Sequence, residues 1–376
     1  MRPPLELLRT YPHFAAIWLL TFAGSLLLTG GAYVLAKRLN LLPAIRQKDI
    51  HTKPKPRVGG VAMWLAAVIA FLVIALGPQA SLLQFGHTKL WGIDTALWGI
   101  LSGMTVLLVV GLLDDIFDFT WQAQLASQFL AAVALVAFGV GINYIRLPFE
   151  HTLYLNTLIV QMPHWLGGGH LVVWSALFTI VWIMTIINVM NWFDGLDGLT
   201  GSISFTAALV LLLLSLNFGF TATATLSVVV SAVAAGFLPW NWYPSKIIMG
   251  TVGSQTLGFL LGVIAIISGG KLATAVLVLG IPFFDAIIVI ARRLVDGVSP
   301  FKGDQRHLHH RLLKIGLPVP WAVILINAVA ISFGALALST QQATQKGLLT
   351  ILVAVLMAVF IFITYALERR AERALR

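Results

Sequence analysis

Eleven long apolar segments are the feature of this sequence that most constrains its fold. A hydrocarbon core of about 30 Å is crossed by roughly 20 apolar residues in a helix. Only 10% of the 376 residues are charged, whereas soluble domains have roughly 25%. The segments therefore predict an all-α integral membrane protein with about eleven transmembrane helices. They lie near residues 14–36, 58–77, 94–113, 122–142, 172–190, 201–217, 221–238, 255–268, 272–291, 320–339 and 348–367.

The organisation of these segments favours a single polytopic domain over residues 1–376. They follow one another through short connections, without an internal repeat or a low-complexity stretch. No small-residue cleavage site follows the first segment, so we expect it to be retained as a helix. The eighth segment is the shortest, which leaves a tilted or partial helix as the alternative there. The absence of cysteine excludes disulfides and thiolate chemistry.

The distribution of Lys and Arg predicts the orientation of the chain. Of the 24 basic residues, 18 lie in loops after odd-numbered segments or in the C-terminal tail, and six lie on the other side. The positive-inside rule places the first group and the C-terminus in the cytoplasm and the N-terminus outside. The same rule accounts for the net charge of +10 without a nucleic-acid partner. The predicted cytoplasmic loops with active-site motifs lie near 37–57, 114–121, 188–200, 239–255 and 292–319.

The third segment ends on two adjacent carboxylates, Asp114 and Asp115. Neighbouring carboxylates repel each other, which favours general-base work unless a cation holds both ionised. The alternative is a pair of acids that marks a helix end in the headgroup region. We favour the functional interpretation because both residues follow an apolar stretch directly.

The fifth segment ends on a run of polar residues spaced three apart. Such spacing places neighbours on one helical face, and oxygen ligands of this kind suit Mg²⁺. A solvated turn explains the later residues of the run but not the two asparagines inside an apolar helix. The run comprises Asn188, Asn191, Asp194 and Asp197.

Two further loops carry motifs that suit phosphate chemistry. The Gly-Thr-Val-Gly-Ser stretch around Thr251 opens the eighth helix, where backbone amides bind anions, although a plain turn is an equal alternative. The loop after the ninth segment is dense in cations and hydrogen-bond donors, which suits the binding of phosphates. A zinc site competes there, but no cysteine supports it. The loop residues are Arg306, His307, His309 and His310.

The basic loop between the first two segments contains Lys48 and His51, followed by a Pro-Lys-Pro-Arg-Val-Gly-Gly stretch. Anionic lipid headgroups alone attract such a loop. Its prolines and paired glycines shape it more than a polybasic segment requires, which modestly favours a role in ligand binding.

Together these motifs resemble the polyprenyl-phosphate N-acetylhexosamine-1-phosphate transferase family, and the His307-x-His309-His310 form resembles its bacterial undecaprenyl-phosphate GlcNAc-1-phosphate transferases. The resemblance covers nearly the whole chain and also includes Gly253-Ser254, Gly258-Phe259 and Asp285. It implies attack of undecaprenyl phosphate on a UDP-sugar with release of UMP, in the bacterial inner membrane with the active site facing the cytoplasm. Such reactions begin teichoic acid, O-antigen (lipopolysaccharide) or arabinogalactan synthesis. A homodimer is compatible with it.

The resemblance also implies roles for individual residues. Asp114 and Asp115 would deprotonate or orient the lipid phosphate, and Asn191 would help to hold Mg²⁺ or Mn²⁺. The three histidines and Arg306 would bind the diphosphate. Lys48 and His51 would contact the lipid phosphate or the rest of the substrate. Asn188 and Asp194 would contact the nucleotide, and Asp197 would bind substrate or complete the metal site.

Two positions depart from the family pattern. Thr251 stands where an Asp that often binds Mg²⁺ is usual, and Gln124 stands where a Lys is common. The first departure leaves a catalytically impaired homologue, which binds lipid or partners, as an alternative to an active enzyme. A transporter is a further alternative, but it predicts polar residues along the middle of several helices, whereas these motifs cluster at segment ends.

Overall fold

The computed structural model describes residues 11–41, 54–86, 88–146, 151–161, 170–268, 272–299, 307–340 and 343–374. Its thirteen described α-helices are α1 Pro12–Arg38, α2 Gly59–Leu76, α3 Thr95–Phe117, α4 Trp121–Ala137, α5 Val173–Phe193, α6 Leu199–Asn217, α7 Thr221–Asn241, α8 Gly250–Ile267, α9 Leu272–Val278, α10 Gly280–Val295, α11 Leu308–Lys314, α12 Val319–Ser339 and α13 Ala343–Ala374. The predicted all-α membrane fold is confirmed.

Nine of the helices in the described ranges are long and apolar enough to span a membrane. The expectation of a short eighth helix is wrong, because α8 begins at Gly250 rather than near residue 255 and has 18 residues. Two predicted segments depart from a simple span. The fourth, α4, ends at Ala137 after 17 residues, and the ninth is divided into α9 and α10. The total number of membrane crossings and the orientation of the termini stay predictions.

The division between α9 and α10 has a cause in the sequence. Pro282 lacks a backbone N–H, and its ring clashes with the carbonyl of the residue four positions earlier in a continuous helix. That residue is Val278, where α9 ends. The helix then restarts at Gly280, and Leu279 connects the two parts. Mean apolarity alone predicted one continuous span because it does not register this local constraint.

Helix α8 is the centre of the bundle. All but one of its residues are buried, and it packs against α2, α3, α5, α6 and α7. Glycines permit the close approach of its neighbours: a Cβ at Gly60 of α2 would lie 2.2 Å from the Gly253 nitrogen, and one at Gly258 would lie 2.8 Å from the Ile187 Cα. The fold therefore fixes the N-terminal end of α8 firmly against the ends of α2, α3 and α5.

Three two-stranded antiparallel ribbons lie at the opposite end of the bundle, in the connections that precede α3 and α5. The first pairs β1 Lys89–Leu90 with β2 Ile93–Asp94. The others pair β3 Tyr144–Arg146 with β4 Thr152–Tyr154, and β5 Ile159–Gln161 with β6 His170–Val172. The polar motifs lie at the other end of the bundle.

Candidate active site

Backbone contacts bring several helix ends together at one end of the bundle. The segment before α2 runs along the segment before α8, where the Ile248 nitrogen donates to the Pro56 carbonyl at 2.9 Å and the Gly60 nitrogen donates to the Met249 carbonyl at 2.8 Å. The C-terminal end of α3 meets the first turn of α8 through the Asp114 side chain. The loops before α2, before α8 and after α3 therefore form one polar region.

The carboxylate of Asp114 is almost fully buried, at 1% exposure, and accepts hydrogen bonds from main-chain and side-chain donors of the described residues. Its Oδ1 accepts hydrogen bonds from the Gln124 Nε2 at 2.9 Å and from the Phe119 nitrogen at 3.1 Å. Its Oδ2 accepts from the Thr251 Oγ1 at 2.6 Å. These donors are neutral groups, and their hydrogen bonds offset part of the cost of burying the carboxylate.

Asp115 is partly exposed and lies at the N-terminus of α8. Both of its oxygens accept from the Thr251 backbone nitrogen, at 3.2 and 3.1 Å. A carboxylate at this place is stabilised by the helix dipole. Gly250 permits the contact, because it has a φ of +67° and a Cβ there would lie 2.4 Å from the Asp115 Oδ2. The amide that the sequence suggested for a phosphate is thus engaged by a carboxylate of the chain.

The end of α5 presents its asparagines in two different settings. The Asn191 Oδ1 accepts from the Ser254 Oγ at 2.9 Å, and Ser254 lies in the first turn of α8. One turn earlier, Asn188 and Gln128 of α4 exchange amide hydrogen bonds, and the Asn188 Nδ2 also donates to the Met184 carbonyl. Asn191 therefore belongs to the same polar network as Thr251, whereas the contacts of Asn188 join two helices.

The two later acids of the α5 run also differ. Asp197 is buried and accepts from the Ser245 Oγ at 2.6 Å and the Ser245 nitrogen at 2.9 Å. The Lys55 Nζ lies 3.1 Å from its Oδ2, which joins this loop to the segment before α2. Asp194 is only half-buried. Asp197 thus links three segments of the site end.

His309 lies at the centre of the histidine group and is fully buried. Its ring is 5.5 Å from the Phe193 ring in an edge-on arrangement and 4.3 Å from the His310 ring. Neither ring nitrogen has a hydrogen-bond partner among the described residues. Gly195 makes room for the ring, since a Cβ there would lie 2.1 Å from the His309 Nε2. The histidine loop is therefore packed onto the end of α5.

His307 is anchored by a carboxylate of α10. Its Nδ1 lies 2.8 Å from the Asp285 Oδ2, and the Leu308 nitrogen donates to the Asp285 Oδ1 at 2.9 Å. The same acid thus holds the side chain that precedes α11 and the first amide of that helix. The His307 ring stacks at 5.8 Å on that of His309. A carboxylate inside an apolar segment is a signal of function that could have added Asp285 to the predicted site.

The remaining site predictions have different outcomes. Lys48, His51 and Arg306 lie outside the described residues. Gln128 and Ser245 contact predicted residues, but no sequence motif marks them because those contacts depend on packing between distant segments. Lys55 lies in the Pro-Lys-Pro-Arg-Val-Gly-Gly stretch, but its contact with Asp197 was not predicted. The described part of the chain contains no group of three or more His, Cys, Asp or Glu side chains that could hold a metal.

Burial and the neighbouring rings of His310 and His307 lower the pKa of His309 well below its usual 6.5. The folded state therefore keeps this ring neutral while the unfolded chain takes up a proton as the pH falls below about 6.5. Since the unfolded state then binds more protons, stability falls with falling pH. We expect thermal unfolding of His309→Asn to show a shallower loss of stability between about pH 7 and pH 5.5 than the wild type. An unchanged slope would contradict neutral burial of His309.

The described residues therefore define a polytopic membrane protein with a carboxylate, amide and histidine site at one end of its helical bundle. A model of glycosyl transferase family 4 matches residues 97–269. The chain is 30% identical to the decaprenyl-phosphate N-acetylglucosaminephosphotransferase of Mycolicibacterium smegmatis over 82% of this chain and 77% of that protein. It is 28% identical to the undecaprenyl-phosphate alpha-N-acetylglucosaminyl 1-phosphate transferase of Thermotoga maritima over 94% of this chain and 98% of that protein.

A probable undecaprenyl-phosphate N-acetylglucosaminyl 1-phosphate transferase of Bacillus subtilis is also 28% identical, over 79% of this chain and 76% of that protein. The chain belongs to the polyprenyl-phosphate N-acetylhexosamine-1-phosphate transferase family, within glycosyl transferase family 4. The family expected from the motifs is confirmed.

Proposed function

We propose that this protein transfers N-acetylglucosamine 1-phosphate from UDP-N-acetylglucosamine to undecaprenyl phosphate at the cytoplasmic face of the bacterial inner membrane. An oxygen of the lipid phosphate forms a bond to the sugar-bound phosphorus of the UDP-sugar. The bond from that phosphorus to the bridging oxygen breaks, and UMP leaves. The names of the similar proteins support the general reaction, and the observation that carries the proposal is the pairing of Asp114 and Asp115 with the first turn of α8.

The oxygen-rich site suits a Mg²⁺ or Mn²⁺ ion. Mg²⁺ keeps several waters and is commonly held by one or two carboxylates together with substrate phosphates, so a cluster of three acids is not required. Asp115 and the Asn191 Oδ1 are the residues that would hold the ion, because both adjoin the first turn of α8. When bound, the ion would neutralise charge on the diphosphate.

The two carboxylates take different roles in this proposal. Asp114 is buried, and both of its oxygens are occupied by donors from the protein. Asp115 is the more accessible of the two and lies at the N-terminus of α8. Asp115 therefore accepts the proton of the lipid phosphate or orients it, and Asp114 fixes the geometry around it.

The histidine group binds the diphosphate side of the donor. His309 is neutral, so one of its ring nitrogens donates and the other accepts. Asp285 fixes the ring orientation of His307 at 2.8 Å, as a carboxylate partner commonly does for a functional histidine. Phosphate oxygens supply acceptors for such N–H groups, and the group stabilises charge that develops on the leaving UMP.

The test is UMP release by the purified chain with UDP-N-acetylglucosamine, undecaprenyl phosphate and Mg²⁺. We expect turnover that EDTA abolishes and that Mg²⁺ or Mn²⁺ restores, together with a polyprenyl-diphosphate sugar as the second product. UDP-N-acetylgalactosamine and UDP-glucose serve as matched donors that differ in one sugar position each.

Turnover with another UDP-sugar only would change the donor and keep the reaction. Binding of UDP-sugar without UMP release from any of them would contradict the proposal and would favour the impaired homologue that binds lipid or partners. Chemical cross-linking in native membranes tests for a homodimer independently of turnover.

A further inference from the structure

Two neutral side chains from different helices converge on one buried carboxylate. The Thr251 Oγ1, in the first turn of α8, donates to the Asp114 Oδ2 at 2.6 Å. The Gln124 Nε2, in the first turn of α4, donates to the Asp114 Oδ1 at 2.9 Å. Each carboxylate oxygen therefore has its own side-chain donor, and Asp114 couples two positions that lie 127 residues apart in the sequence.

The surroundings make this arrangement sensitive to charge. Thr251 contacts Asp114 through its hydroxyl and Asp115 through its backbone nitrogen, so a negative side chain at this position adds a third anion beside two others. Negative charges on neighbouring side chains in a poorly solvated site repel each other strongly. A cation in place of Gln124 would contact the other oxygen of Asp114 and offset that repulsion.

We propose that Thr251 and Gln124 form one neutral pair of positioning residues that holds Asp114 beside Asp115, so that the charges at positions 124 and 251 can change only together. The kinetic part of this inference rests on the proposed function, whereas the coupling itself is measured without turnover.

The kinetic test compares two variants at position 251 that differ in the hydroxyl donor. Thr251→Val keeps the shape of the side chain and removes the hydroxyl donor, whereas Thr251→Ser keeps the donor. We expect Thr251→Val to lower kcat about tenfold or more with KM for UDP-N-acetylglucosamine changed less than about twofold, and Thr251→Ser to recover most of the loss. Gln124→Met, which keeps length without a donor, is expected to resemble Thr251→Val. A purely structural role predicts no such separation of kcat from KM in folded protein.

The coupling test is a double-mutant cycle on the full chain in detergent with EDTA present. We expect Thr251→Asp to lower the unfolding temperature on the order of 3 °C or more, and Gln124→Lys in the same chain to restore at least half of that loss. Thr251→Asn has the size of Asp without its charge and serves as the matched control. Gln124→Lys should not rescue it.

Additive effects in the cycle, or equal rescue of the Asn and Asp variants, would overturn the inference even if the wild type transfers sugar phosphate. Turnover that appears only in the Asp and Lys double variant would also overturn it, because the neutral pair would then not support catalysis. If the Thr251→Asp variants do not fold, the inference is tested by Thr251→Val and Thr251→Ser alone. Equal kcat in those two variants would contradict a positioning role. Absence of turnover in both the wild type and the double variant would refute the proposed function, and the cycle would still measure the coupling.

Discussion

Asp115→Asn is expected to lower the rate of UMP release by about a thousandfold, with little change in the unfolding temperature. The substitution keeps the size of the side chain and an oxygen that can accept from the Thr251 nitrogen, at 3.1 to 3.2 Å in the wild type. In the proposed mechanism, it removes the negative charge that would take or orient the proton of the lipid phosphate and would hold Mg²⁺. The measurement is kcat at saturating substrates, with folding checked by thermal unfolding.

Asp118→Asn is the matched control for this prediction. Asp118 lies in the same turn and is exposed, so its removal tests for a general effect of negative charge at this membrane boundary. Its φ of +52° lies in the left-handed region, which asparagine adopts readily. We expect its kcat to stay within about twofold of the wild type. A comparable loss in both variants would mean that local charge, rather than the Asp115 carboxylate, supports the reaction.

The extent to which the sequence predicts this fold depends on the range of the interactions involved. Apolar segments of about 20 residues predicted the membrane-spanning architecture because the hydrocarbon core imposes that length on any helix. The break before Gly280 could have been predicted from the sequence, because Pro282 disrupts a continuous helix at that place. The early start of α8 could not have been predicted in the same way, because Gly250 lies against Asp115 and Arg57, which are distant in the sequence.

The candidate site is predictable to a similar degree. Segment counting indicated that the Asp pair, the α5 run, the Thr251 turn and the histidine loop share one side of the membrane. It did not indicate which groups would touch. The pairing of Asp114 with Thr251 and Gln124 depends on how α3, α4 and α8 pack at their ends, and helix packing angles are not encoded in a local motif.

The burial of the histidine loop was also not predicted from its local sequence. A loop rich in Arg and His suggests solvated side chains, yet His309 is fully buried against Phe193 and Gly195. The signal that exists is Gly195 itself, because the absence of a Cβ there creates the space for an imidazole from a segment more than 100 residues later.

Gly195→Ala is therefore expected to lower kcat about a hundredfold, although the change adds only one methyl group. A Cβ at this position would lie 2.1 Å from the His309 Nε2 and 2.9 Å from its Cδ2, so the ring must move. The ring is enclosed by Phe193 and His310, and a displacement of about 1 Å in a catalytic group commonly costs about two orders of magnitude in rate. Steady-state kinetics with both substrates and thermal unfolding measure the effect.

Two variants separate the displacement of the ring from other effects of the added methyl group. Gly24→Ala lies in α1 with no atom near its Cβ, and it is expected to leave kcat unchanged. His309→Ala in the Gly195→Ala chain removes the ring that the methyl group meets, so it should raise the unfolding temperature above that of Gly195→Ala without restoring turnover. Wild-type kcat in Gly195→Ala would mean that the reaction does not depend on where this imidazole lies, and the histidine group would lose its assigned role.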